Sequence, residues 1–100
     1  MALTAVSAKR ILYEASVWFD KETHSYLSHA WPIDVMSVGR TEEHALKMLE
    51  EAVGLFVDTV REDGNLDLIA QEAGYRLEGD VLVPPKRNHF SGAAEFSTEV

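Results

Sequence analysis

Alternate positions along residues 11–19 fall into two sets, with Ile11, Tyr13, Ala15, Val17 and Phe19 on one side and Leu12, Glu14, Ser16 and Trp18 on the other. A period of two with one apolar set is the pattern of a strand half-buried on one face. Asp20-Lys21-Glu22-Thr23 then supplies a short polar break, and residues 24–31 can return antiparallel as a hairpin partner. Pro32 ends that strand by removing a ladder donor, and residues 34–38 complete a meander before Gly39.

From Thr41 the period changes from two to that of a helix. Ala45, Leu49, Ala52, Val53, Phe56, Val57 and Val60 form one stripe, leaving Lys47, Glu50, Glu51 and Asp58 for solvent. Thr41 is a favourable N-cap, and Glu42 and Glu43 sit where the helix dipole favours negative charge. The capping box is incomplete, because His44 stands where Glu or Gln would reach back. Glu62-Asp63-Gly64 stops the helix, whose apolar stripe has to lie across a sheet.

Asn65 is placed to cap a second, shorter helix over residues 66–73, and Gly74 to take the left-handed conformation that ends it. Tyr75-Arg76-Leu77 and Val81-Leu82-Val83 flank Glu78-Gly79-Asp80 as a small hairpin, closed by Pro84-Pro85. Beyond a polar linker at Lys86-Arg87-Asn88-His89, the alternation of Ala94, Phe96, Thr98 and Val100 with Glu95, Ser97 and Glu99 allows a final strand. The organisation predicted is an N-terminal arm at 1–9, one domain at 10–85, and a linker with a C-terminal strand at 86–100.

Composition changes this picture in three ways. The 100 residues are 46% hydrophobic and 26% charged, ordinary values for one folded domain. Seventeen acidic against nine basic residues give a formal charge of −8, which disfavours a phosphate backbone or an anionic lipid surface and suits a basic protein partner. With no cysteine, no disulfide or thiolate metal site is available, in keeping with a reducing cytoplasm. No basic leader or long apolar run appears, so neither export nor membrane spanning is expected.

The order of three meandering strands, then Gly39-x-Thr41-x-x-x-Ala45 opening a long helix, then a Gly-ended short helix and a Pro-Pro hairpin resembles the HicB-like antitoxin family over residues 11–85. Its most specific part is Val38-Gly39-Arg40-Thr41-Glu42-Glu43-His44-Ala45. Glycine permits the turn off the strand, threonine caps the helix, and alanine lets the helix sit close to the sheet. The chain departs from the family at Trp31-Pro32-Ile33-Asp34-Val35, where a Pro-acidic-Leu-Pro-Gly turn is common, and at His44, where glutamate is usual. Many family members also carry a C-terminal DNA-binding ribbon-helix-helix or helix-turn-helix. The residues after Pro85 are too few for either, so operator binding is not carried over.

The resemblance implies an α+β fold, partial ferredoxin-like or degenerate ribonuclease-H-like. It also implies self-association and inhibition of a HicA-like toxin, a small basic messenger-RNA-cleaving protein, by covering its catalytic surface. Solitary HicB-like proteins without a toxin exist too, so an orphan homo-oligomeric scaffold or regulator is the alternative.

Candidate chemistry is sparse. His24 and His29, five apart on one predicted strand, point to opposite faces, while His44 and His89 lie in other segments, so no metal site is expected. Glu14, Asp20 and Asp34 are the carboxylates near the sheet, without sign of convergence on a metal. Ser16, Ser25, Ser28 and Ser37 lack a nucleophile elbow, and no phosphate-cradling glycine loop is present. Lys86-Arg87-Asn88-His89-Phe90 is too small a basic patch for nucleic acid. No cofactor and no enzymatic activity are therefore expected.

Aromatic residues are enriched at protein interfaces, which makes Trp18, with Leu12 on the same face, Trp31 and Phe96 the candidate contact residues, core or second-layer packing being the alternative for Trp18. The fold expected is a three- to four-stranded antiparallel sheet in β-β-β-α order, with the long helix on one face and a short helix and hairpin appended. Dimerisation through the sheet or the C-terminal strand is expected.

Overall fold

The computed structural model describes residues 8–86 and 94–99. Strands β1 (Arg10–Asp20), β2 (Ser25–Trp31) and β3 (Val35–Gly39) form the antiparallel meander, followed by helices α1 (Glu42–Glu62) and α2 (Leu66–Glu72). Strands β4 (Arg76–Glu78), β5 (Val81–Val83) and β6 (Ala94–Glu99) complete the order. The first seven residues of the expected N-terminal arm and the linker residues Arg87, Asn88, His89 and Phe90 lie outside the described residues.

The chain is α+β, but its sheet is mixed and larger than the antiparallel three- to four-stranded sheet expected. Strand order runs β3-β2-β1-β5-β4, with β6 also paired to β1. β5 joins β1 in parallel through Arg10 opposite Val81 and Ile11 opposite Leu82. The alternation that marks a strand carries no direction; α1 and α2 return the chain so that β5 enters the sheet as a crossover strand does.

Pattern and burial agree closely. Ile11, Tyr13 and Ala15 of β1, Ala30 of β2, and Leu49, Val53, Val57 and Val60 of α1 are buried in one cluster with Leu66, Ala70, Tyr75 and Leu82. α1 lies chiefly over β3 and β2. Its first turn comes close because the residues below are small: Ala15 pairs with Ala30, and Gly39 ends β3. A Cβ on Gly39 would stand 2.3 Å from the Ala45 backbone nitrogen and 2.6 Å from its Cα. The fully buried Ser28 hydroxyl donates to the Ala45 carbonyl at 2.8 Å, joining β2 to the same turn.

The start of α1 is better capped than the sequence indicates. The Thr41 hydroxyl accepts from the His44 backbone N–H at 3.0 Å, and the His44 ring Nδ1 accepts from the Arg40 N–H at 3.0 Å. Imidazole thus does for the residue before the cap what a box glutamate does for the cap itself. Asn65, by contrast, stands at the N-cap of α2 without a side-chain cap bond, so its expected capping role is corrected. Its backbone N–H is instead tied to the Val60 carbonyl at 2.8 Å, continuing the end of α1 directly into α2. Gly74 adopts φ of 86°, the left-handed conformation expected of it.

Gly39→Ala is expected to cost about 3 kcal/mol or more, since backbone atoms opposite the new methyl cannot move aside as a flexible side chain would. Gly54→Ala, inside α1 with nothing within 4 Å of the added Cβ, should instead stabilise by about 0.5–1 kcal/mol. Urea unfolding of both variants checks the opposite signs.

Candidate functional site

The helices and the β4–β5 hairpin contribute their buried residues to one core, shared with the Ile11-Tyr13-Ala15 face of β1. The other face of the sheet has no helix over it among the described residues. Register defines it row by row. Trp18 pairs with Leu27, which pairs with Val38; Ser16 pairs with His29, which pairs with Met36; Glu14 pairs with Trp31. Residues directly opposite across a ladder share a face, so these three rows make one surface, with Leu12 continuing it along β1.

This surface is unusually apolar for one that faces water. Trp18 is 42%, Met36 54% and Val38 50% exposed, while Leu12, Leu27 and Trp31 are half-buried. Scattered apolar side chains at a surface need no explanation, but a contiguous group marks a contact site. Ser16 and His29 are the polar members at its centre, with the Asp34 carboxylate against His29, and Glu14 and Asp20 lie further along the same side of β1. More carboxylates stand on the helical side. Glu42, Glu43, Glu50, Glu51 and Asp58 are exposed on α1, where Lys47 is the exposed counter-charge.

Local bonds hold the ends of the strands. The Asp20 carboxylate accepts from the Thr23 hydroxyl at 2.6 Å and from the Thr23 N–H at 3.2 Å, closing the β1–β2 turn. Those bonds hold the Asp20 carboxyl below the usual range for aspartate. At the other end, His29 Nε2 meets Asp34 Oδ1 at 2.7 Å, while the Asp34 N–H donates to the Ala30 carbonyl at 2.9 Å. Asp34 stands at φ of 61°, and the loop at residues 31–35 is a tight turn.

Of the residues singled out as contacts, Leu12, Trp18 and Trp31 come together on this face. Phe96 stands opposite Tyr13 in the β1–β6 ladder, and its side chain lies outside the described residues. Leu27, Met36 and Val38 were missed, although the period-two pattern of their strands held the signal once the register was known.

The histidines and carboxylates are dispersed. His24 lies in the turn at φ of 54° and not on a strand, so the opposite-face argument against a shared ion does not apply to it. Among the described residues no group of three His, Asp or Glu stands close enough to hold a metal ion. Asp20 is engaged with Thr23 and Asp34 with His29, at different ends of the sheet from one another. Ser28, one of the serines considered as a nucleophile, is buried beneath α1 with its hydroxyl donating to a carbonyl. No helix of the described residues is long and apolar enough to cross a membrane.

Comparison with protein-family models, with curated proteins and with solved structures finds no match.

Leu12 is anchored from the core side, because the Tyr75 hydroxyl donates to its carbonyl at 2.7 Å. Burial, and then the nearby Tyr13, push the Tyr75 phenol well above its ordinary value near 10. As pH rises the unfolded chain gives up this proton first. Its contribution to stability is therefore full below about pH 10 and is lost above it. Tyr75→Phe should flatten the alkaline loss of stability and cost about 1 kcal/mol at neutral pH with the Leu12 bond; urea midpoints between neutral and strongly alkaline pH check both.

Proposed function

We propose that this chain is a HicB-like, antitoxin-type binding module that neutralises a HicA-like messenger-RNA-cleaving toxin in the cytoplasm by direct protein contact. The observation that carries the reading is the helix-free sheet face, where Trp18, Met36 and Val38 are exposed together with Leu27 and Trp31 beside them. A small basic protein is the occupant favoured by charge. The net −8 draws such a partner in from a distance, and the apolar side chains of the face then allow close contact.

The architecture supports the same reading. The family resemblance at residues 38–45 falls on the strand-to-helix junction, where Gly39, Thr41 and Ala45 each have the role that the motif gives them. Three antiparallel strands, a helix and a later strand parallel to the first are compatible with a degenerate ribonuclease-H-like arrangement. An orphan homo-oligomeric scaffold is the second reading, favoured by an apolar face that a second copy also fits.

Coexpression with a HicA-like toxin tests the proposal. The account expects copurification of the two proteins and rescue of growth. Met36→Asp with Val38→Asp should weaken the complex by about tenfold or more while the chain stays folded, since these side chains are half exposed. Folded protein that forms a clean homo-oligomer, holds none of the toxins tried and rescues no growth would replace the antitoxin reading with the scaffold.

A further inference from the structure

β3 ends the sheet on the side away from β5 and β4, with β2 as its one ladder partner among the described residues. Its other edge therefore presents backbone donors and acceptors from alternate residues. Val35-Met36-Ser37-Val38-Gly39 carries no charge and no proline to guard that edge. The described residues next to 1–7 and 87–93 all stand elsewhere. Lys9 bonds to Asp80, Lys86 follows β5, and Ala94 is opposite Ala15 on the edge of β1 away from β2 and β3.

α1 walls one side of the edge. Arg61 donates to the Ala8 carbonyl at 2.9 Å, so that flank of the helix is turned toward β1. Glu50, three turns earlier at about 3.6 residues per turn, shares the flank. Burial, and then the Glu50 charge, push the Tyr13 phenol of β1 above its ordinary value. Met48 and Ala52, both half-buried, fall on the opposite flank, which looks over the free edge of β3. On the helix-free side of the same edge stand Met36 and Val38, 54% and 50% exposed. Backbone polar groups are thus set between two apolar walls. The exposed charges around them are mostly acidic: Asp34 at the foot of β3, Glu42 and Glu43 at its head and Glu51 on α1, against Arg40 and Lys47. A second copy on this edge would face these acids with acids of its own, whereas a basic occupant complements them.

We propose that a partner protein adds an extended segment of alternating basic and apolar residues to the free edge of β3. Backbone bonds to β3 hold the segment, as in other strand additions. Its apolar residues extend the helix-free face beside Met36 and Val38. Its lysine or arginine stems run along Met48 and Ala52, with their charged ends among Glu42, Glu43 and Glu51. The inference rests on the reading of a basic protein partner and deepens it, by naming the element of that partner which the sheet receives.

Its test needs no toxin. A seven-residue peptide alternating lysine with valine, titrated into the full chain labelled with nitrogen-15, should shift the amide resonances of residues 35–39 and slow hydrogen exchange there. The matching glutamate-valine peptide should bind about tenfold more weakly or worse. N-methylation of all the valines, or of all the lysines, strips the donors from one edge of the peptide or the other. One of these two forms should lose about tenfold or more in affinity and the other should keep it. Shifts that avoid residues 35–39 would overturn the inference, as would a glutamate peptide that binds as well or two N-methylated forms that bind alike. So would outward amides of β3 that already exchange slowly in the chain alone, since the edge is then covered. A peptide that binds this way while no toxin copurifies retires the toxin and keeps the edge; a toxin complex in which these amides stay unprotected does the reverse.

Discussion

The first turn of α1 approaches the end of β3 so closely that only glycine fits at position 39, and the covered side of the sheet depends on that approach. Ser28 reaches across from β2 to the Ala45 carbonyl, while Thr41 and His44 satisfy backbone donors that the helix start would leave open. Three weak features act on one turn. The glycine removes a steric barrier, the serine satisfies its own buried hydroxyl, and the cap sets where the helix begins. With that turn seated, helical spacing carries Leu49, Val53, Val57 and Val60 successively over the core.

Closing one side so tightly leaves the other side open. α1, α2 and the β4–β5 hairpin all place their buried residues in the same core, and the chain has no further described element to spread over the opposite face. Strand alternation then obliges Trp18, Leu27, Met36 and Val38 to face outward, because their neighbours face in. A pleated surface that exposes aromatics and aliphatics in register is suited to contact with protein. The two surfaces divide the chemistry of the molecule: charge on the helix for solubility and long-range attraction, apolar area on the sheet for contact.

The features legible in the sequence were those fixed by local chemistry. Alternation at Ile11, Tyr13 and Ala15 gave the core face of β1, Thr41 the start of α1, and Gly74 the end of the short helix. Leu12 and Trp18 could be placed on the side of the first strand opposite its apolar stripe. Whatever depended on how distant segments meet was not legible. Nothing at Val81 or Leu82 states that β5 runs parallel to β1, or at Phe96 that it stands opposite Tyr13. Met36 and Val38 joined the candidate site for the same reason, through the register of β3 on β2. His44 and Asn65 mark the limit of cap rules: an imidazole took up a backbone donor, and a favoured cap residue, at φ of −104° and ψ of 1° and so not in the extended conformation of a cap, made no side-chain bond.

The account turns on the helix-free face being where another protein sits. Hydroxyl-radical footprinting reads this directly, comparing the chain alone with its complex with a coexpressed HicA-like toxin. Met36 and Trp18 should lose reactivity on complex formation while Leu55, exposed on α1, reacts as before. A complex that shields Leu55 and leaves Met36 and Trp18 fully reactive would contradict the account.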